Sequence, residues 1–144
     1  MNLAELYRQV ILDHAQHPRN FRAQDGAIRV KLKNPTCGDD VTLFLAVRDG
    51  NVQSASFQGT GCSISIASAS LLTEAVQGQP LVAVLLLDEE FRKLVQGIPA
   101  DTARLGDLEA LAGVARFPAR VKCATLAWNA LLQAIEEGEG HPHE

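Results

Sequence analysis

Apolar positions at Leu3, Leu6, Tyr7, Val10 and Ile11 recur at helical spacing, with Asn2 placed to cap the first turn and Pro18 to close the segment. This predicts a helix over 3–16. The period then changes to two. Ile28, Val30 and Leu32 alternate with Arg29, Lys31 and Lys33, and Val41, Leu43, Leu45 and Val47 alternate with Thr42, Phe44, Ala46 and Arg48. Asp49-Gly50-Asn51 supplies a tight turn into a third strand over 52–57, so residues 27–58 read as an antiparallel meander. After Gly59-Thr60-Gly61, Ser, Ala and Leu dominate, which suits a helix over 62–76 whose small residues lie close against a sheet. Another helix follows Pro80 to about Gln96. Residues 97–117 carry scattered Gly and Pro and are expected to cross the surface, with a short helical piece at 108–111. A final helix over 119–137 presents Leu126, Ala127, Ala130, Leu131, Ala134 and Ile135 as an apolar stripe.

The expected class is therefore α+β: a small three-stranded antiparallel sheet covered by helices, in a single domain over 1–137, with 138–144 as a disordered tail. At 144 residues the chain has a core large enough to need no disulfide staple. Glu5, Arg8 and Asp13 interrupt the early apolar residues, so no signal or transit segment is expected, and the apolar run 81–87 is too short to span a bilayer. A cytoplasmic protein is the expectation. A net charge of −4, scattered basic residues and few aromatics give no footprint for nucleic acid.

The cysteines change the picture. The chain has three, Cys37, Cys62 and Cys123, an odd number with no pair closer than 25 residues, which fits neither a secreted disulfide framework nor a C-x-x-C redox motif. Cys37 and Cys62 stand in Gly-rich turn sequences, where burial as apolar filler explains them poorly. A thiolate is a strong ligand for soft and borderline metals, and tetrahedral zinc takes Cys sulfur and carboxylate oxygen. Asp39, two residues from Cys37 and separated from it by Gly38, is the natural fourth ligand. Such a centre carries excess negative charge, which Arg120 and Lys122, beside Cys123, are placed to offset.

Four segments resemble, in order, signatures of the IscU/NifU-like iron–sulfur cluster assembly family. They are Asp13-His14-Ala15-Gln16-His17-Pro18-Arg19-Asn20-Phe21, Cys37-Gly38-Asp39, Gly59-Thr60-Gly61-Cys62-Ser63-Ile64-Ser65 and Lys122-Cys123-Ala124. IscU-type members carry histidine just before the third cysteine, where this chain has Lys122. The additional segment 97–117 is a second mark of the SufU branch. The resemblance implies an IscU/SufU-like fold, zinc held by Cys37, Asp39, Cys62 and Cys123, and Cys37 as acceptor of persulfide sulfur from a SufS-type cysteine desulfurase. It also implies downstream iron–sulfur assembly proteins as partners. On this reading the chain is a sulfurtransferase-type sulfur carrier that enhances its desulfurase. The alternative is a scaffold holding a [2Fe–2S] cluster on the same four residues.

Two further readings are weaker. A cysteine nucleophile with His14 or His17 as base would need one of these histidines to reach a thiol. Ser63 and Ser65 lack the G-x-S-x-G turn of a serine hydrolase. A purely structural zinc site would more usually take a fourth Cys or His than Asp39.

Overall fold

The computed structural model describes residues 2–35 and 38–140. The first helix, α1 (Leu3–Gln16), begins where Asn2 Oδ1 accepts the Glu5 N–H at 2.8 Å, satisfying one of the orphan donors of the first turn. Three strands follow, β1 (Ile28–Asn34), β2 (Asp39–Arg48) and β3 (Asn51–Thr60), in the order β1-β2-β3 and antiparallel throughout. The remaining elements are α2 (Ser63–Val76), α3 (Leu81–Val95), the one-turn α4 (Thr102–Leu105), a 3-10 segment (Gly106–Arg116) and α5 (Pro118–Gly140). The α+β class expected from the pattern is the one observed. Among the described residues no helix is long and apolar enough to cross a membrane.

Register decides what the sheet shows to the helices. Val30, Leu43 and Phe57 face one another across the strands, as do Ile28, Leu45 and Ala55, and this face packs on α5 and α2. Trp128 of α5, fully buried, stacks on Phe91 of α3 at 4.4 Å between ring centroids, and its indole N–H donates to Ser68 Oγ of α2 at 3.1 Å. Ser68 Oγ in turn donates to the Ala124 carbonyl at 2.6 Å, so the small residues of α2 bring it close enough to bond the backbone of α5. Truncating a fully buried side chain here, such as Leu43→Ala, removes roughly 2–5 kcal/mol.

Two expectations require correction. Residues 97–117 do not merely cross the surface: Leu105, Leu108, Leu111 and Val114 are buried in the core. Their spacing of three is the period of a 3-10 helix, whose side chains at i and i+3 eclipse, so a search at 3.6 residues per turn misses it. Helix α5 also continues past Glu137 to Gly140. Residues 141–144 lie outside the described residues.

Candidate metal centre

Three elements meet at one corner of the sheet. Asp39 opens β2, and because strand side chains alternate, it shares the core-facing side with Val41 and Leu43. Its carboxyl is therefore aimed inward, and the residue is only 1% exposed. Cys62 is the N-cap of α2, half-buried. Cys123 lies on the first turns of α5, on the buried stripe that continues through Ala127, Ala130 and Ala134, and is 1% exposed. The ligand atoms of Asp39, Cys62 and Cys123 all lie within 4.8 Å of one another. Donors bound to a single tetrahedral zinc stand about 3.8 Å apart when zinc–sulfur bonds are near 2.3 Å, so this set fits such an ion. Cys37, the remaining expected ligand and the expected sulfur acceptor, lies outside the described residues.

The corner is held by a short chain of hydrogen bonds. Asp39 Oδ1 accepts the backbone N–H of the N-cap residue Cys62 at 3.0 Å, tying the start of α2 to the start of β2, while the Cys62 side chain makes no capping bond. Ser65 Oγ donates to the Cys62 carbonyl at 3.0 Å and stands 3.8 Å from Cys62 Sγ. Between them Gly61 leaves no room for a side chain, since a Cβ there would collide with Asp39 Oδ1 and Ser65 Oγ. Burial pushes the Cys62 thiol up and Asp39 adds to that, but hydrogen bonds from the Ser65 backbone and hydroxyl and from Cys123 outweigh both. The thiol ends below its ordinary range. The dipole at the start of α2 acts in the same direction.

Ser65 was passed over in the sequence because no hydrolase turn surrounds it. Its position three residues after the N-cap, where a side chain reaches back to the cap, was the available signal. Arg120 and Lys122 are both exposed and flank Cys123 on α5. Lys122 opens on a small surface dent shared with Lys33, Pro35 and Asn129, whereas Arg120 lies beside Ile64 and Phe117. Neither makes an ion pair among the described residues.

The two candidate histidine bases are elsewhere. His14 is 4% exposed, with Nδ1 2.7 Å from Ser70 Oγ and Nε2 3.8 Å from Glu74 Oε1. Burial, then the nearby Arg19 guanidinium, hold it below the usual histidine range against the opposing carboxylates of Glu74, Asp13 and Asp107. His14 Nδ1 and Ser70 Oγ share a hydrogen bond whose direction follows the ring's tautomer, and Nε2 faces Glu74. His17 is exposed at the end of α1, 3.5 Å from Asp13. Neither histidine is paired with Cys62 or Cys123, which removes the histidine-base reading for these two thiols.

The family described as NifU-like N terminal domain matches residues 6–124 of the chain. The chain belongs to that family. Within it, the chain is 46% identical over 140 residues to the zinc-dependent sulfurtransferase SufU of Bacillus subtilis, covering 96% of this chain and 95% of that protein. It is 42% identical over 142 residues to the iron–sulfur cluster assembly scaffold protein IscU of Streptococcus pyogenes, covering 98% and 89%. A crystal structure described as a putative iron–sulfur cluster assembly scaffold for the SUF system, from Fervidobacterium islandicum AW-1, superposes with a TM-score of 0.83 at 27% identity. That match covers 90% of this chain and 96% of the other. The NifU-like match includes Asp39, Cys62 and Cys123, so the residues that converge in space all fall within the shared domain.

Proposed function

We propose that this chain is a zinc-dependent sulfur acceptor of iron–sulfur cluster assembly, taking persulfide sulfur from a SufS-type cysteine desulfurase onto Cys37 and passing it to downstream assembly proteins in the cytosol. The observation that carries the reading is the convergence of two soft sulfurs and one carboxylate within 4.8 Å at a helix N-terminus. Zinc bound there would supply a redox-inert centre that keeps thiolates deprotonated at neutral pH. Asp39, Cys62 and Cys123 would hold it, with Cys37 as the fourth ligand. Asp39 has a second duty, fixing the Cys62 backbone through its N–H. Ser65 holds the Cys62 carbonyl, so the sulfur is presented by a backbone tied at both ends.

The transfer itself is thiol–disulfide exchange: the Cys37 thiolate attacks the outer sulfur of the donor persulfide, a new S–S bond forms on Cys37, and the donor cysteine leaves as thiolate. No net oxidation occurs. The 46% identity to a zinc-dependent sulfurtransferase favours this reading. A second reading, a scaffold for a [2Fe–2S] cluster on the same residues, is favoured by the 42% identity to an IscU scaffold.

The experiment is metal and acid-labile sulfide content of the untagged protein, with native mass before and after incubation with desulfurase and cysteine. One zinc per chain, no iron, and a gain of one sulfur that disappears in Cys37→Ala is the expected result. Iron with matching sulfide, and no sulfur added at Cys37, would overturn it in favour of the scaffold.

A further inference from the structure

Helix α1 and the 3-10 segment lie side by side and leave an apolar trough between them. One part, about 650 Å³, is lined by Leu3, Tyr7, Ile11, Ile64 and Ala112 among others. A second part, about 420 Å³, shares Ile11, Ile64, Ala110 and Gly113 with the first and continues to Phe117 and Arg120. The shared walls make this one trough, running from the start of α1 to a point three residues before Cys123. Ile64 stands two residues after Cys62 and Arg120 about one helical turn before Cys123, so the second part of the trough lies near the metal centre, although none of Asp39, Cys62 and Cys123 lines it. Several of its apolar side chains are left to solvent, with Leu3 60% and Phe117 62% exposed. Each part lies within the size range of ligand-binding clefts.

Its charge is as uneven as its polarity. Arg8, Arg116 and Arg120 all line the trough, and none has an ion pair among the described residues. Elsewhere Arg19, Arg48, Arg92 and Arg104 each have a carboxylate within reach, while Arg22 and Arg29, which do not line the trough, have no ion pair among the described residues. In a chain of net charge −4, three unpaired guanidinium groups on one apolar channel form a local positive field. Glu109, on the same 3-10 segment, accepts the hydroxyl of the trough residue Tyr7 and keeps one carboxylate close to these cations. The arginines are distributed along the channel, with Arg8 in the first part and Arg120 in the second. A lipid with a single anionic head would meet only one end of this series. A peptide segment carrying several carboxylates around apolar anchors matches all of it, and the stretch from Leu3 to Ile11 alone spans about 12 Å of helix, room for two turns of a docked helix.

We propose that this trough seats an acidic, apolar segment of the protein that delivers sulfur, orienting the donor over the Cys62 and Cys123 corner. This rests on the sulfur-acceptor reading above. Because the arginines contact the partner and not the reacting sulfurs, they act on encounter and affinity.

The test uses the zinc-loaded full chain and a SufS-type cysteine desulfurase, with calorimetric Kd and sulfur-release rate read in parallel. Arg8→Glu/Arg116→Glu is expected to weaken Kd about tenfold or more and to raise the half-saturating concentration equally, with the rate at saturation and the zinc content unchanged. Ala4→Trp, which fills the trough while keeping every charge, is expected to weaken binding in the same sense. Kd values within about twofold of the wild type for both variants overturn the proposal. Wild-type self-association that the double variant abolishes also overturns it, making the trough a seat for a second copy. If the variants bind weakly but even the wild type accepts no sulfur, the trough stands and the sulfur-acceptor reading falls.

Discussion

Helix α2 carries two polar clusters, and they differ in what they leave undone. Near its middle, Ser70 bonds His14 and accepts the Arg19 N–H at 2.9 Å, while Thr73 accepts from Asn20 Nδ2 at 3.1 Å, so the end of α1 and the turn after it are clamped to α2. At its N-terminus, Ser65 and Asp39 fix the backbone of Cys62 but leave sulfur and carboxylate atoms converging on a common point. The clamp is polar chemistry spent on joining elements. The corner is polar chemistry held in position for something that arrives. A buried polar group tells of function when its neighbours are donors of one chemical kind facing one point, and of architecture when its hydrogen bonds close on the fold itself.

The contrast is testable at both ends. Cys123→Ser should produce the largest effect, lowering zinc affinity by about 100-fold or more because a thiolate ligand is replaced by a hydroxyl that stays protonated. Competition with a chromophoric chelator measures this, and retained affinity would place the metal elsewhere. At the clamp, Ser70→Ala strands both the His14 ring nitrogen and the Arg19 N–H and should cost about 1–3 kcal/mol in urea unfolding, with zinc content unchanged. Loss of zinc in that variant would erase the distinction between the clusters.

Ser65→Ala should do the reverse, costing about tenfold in metal affinity, as supporting groups around a metal commonly do. Its effect on unfolding of the metal-free protein should be smaller than that of Ser70→Ala. The finest probe is pH. His14 is held below its ordinary value, so the folded state binds fewer protons there than the unfolded chain, and stability falls as pH drops below about 6.5. His14→Gln should flatten that slope in equilibrium unfolding between neutral and mildly acid pH. An unchanged slope would show that His14 is not the group responsible.

Much of the centre was legible beforehand because it is written in local pattern. Glycine before Cys62 announces a turn into a helix, whereas Asp39, read as part of the connection before a strand starting at Val41, in fact opens β2 and so shares a face with Val41 and Leu43. The end of α1 was readable from Pro18 and its start from Asn2, both short-range signals. The role of His14 was not, since its partner Ser70 is 56 residues away and nothing near either residue marks the pair. The segment 97–117 was misjudged for a different reason. Its apolar residues repeat every three positions, a period seldom sustained because 3-10 hydrogen bonds are poorer than α-helical ones, and only packing against α1, α2, α3 and α5 makes that geometry worth adopting.

By itself, then, the sequence determined the period of each main helix and strand, the inward face of β2 and the residue types able to bind a soft metal. These follow from backbone geometry and side-chain chemistry, which act over a few residues. The tertiary structure alone decided that the ligand atoms of Asp39, Cys62 and Cys123 come within 4.8 Å of one another, that Ser65 and Ser70 on the same helix serve different ends, and that an arginine-lined trough opens near the metal corner. Those facts depend on how α1, α2, the 3-10 segment and α5 pack on the sheet, and packing is set by the burial of residues far apart in the chain.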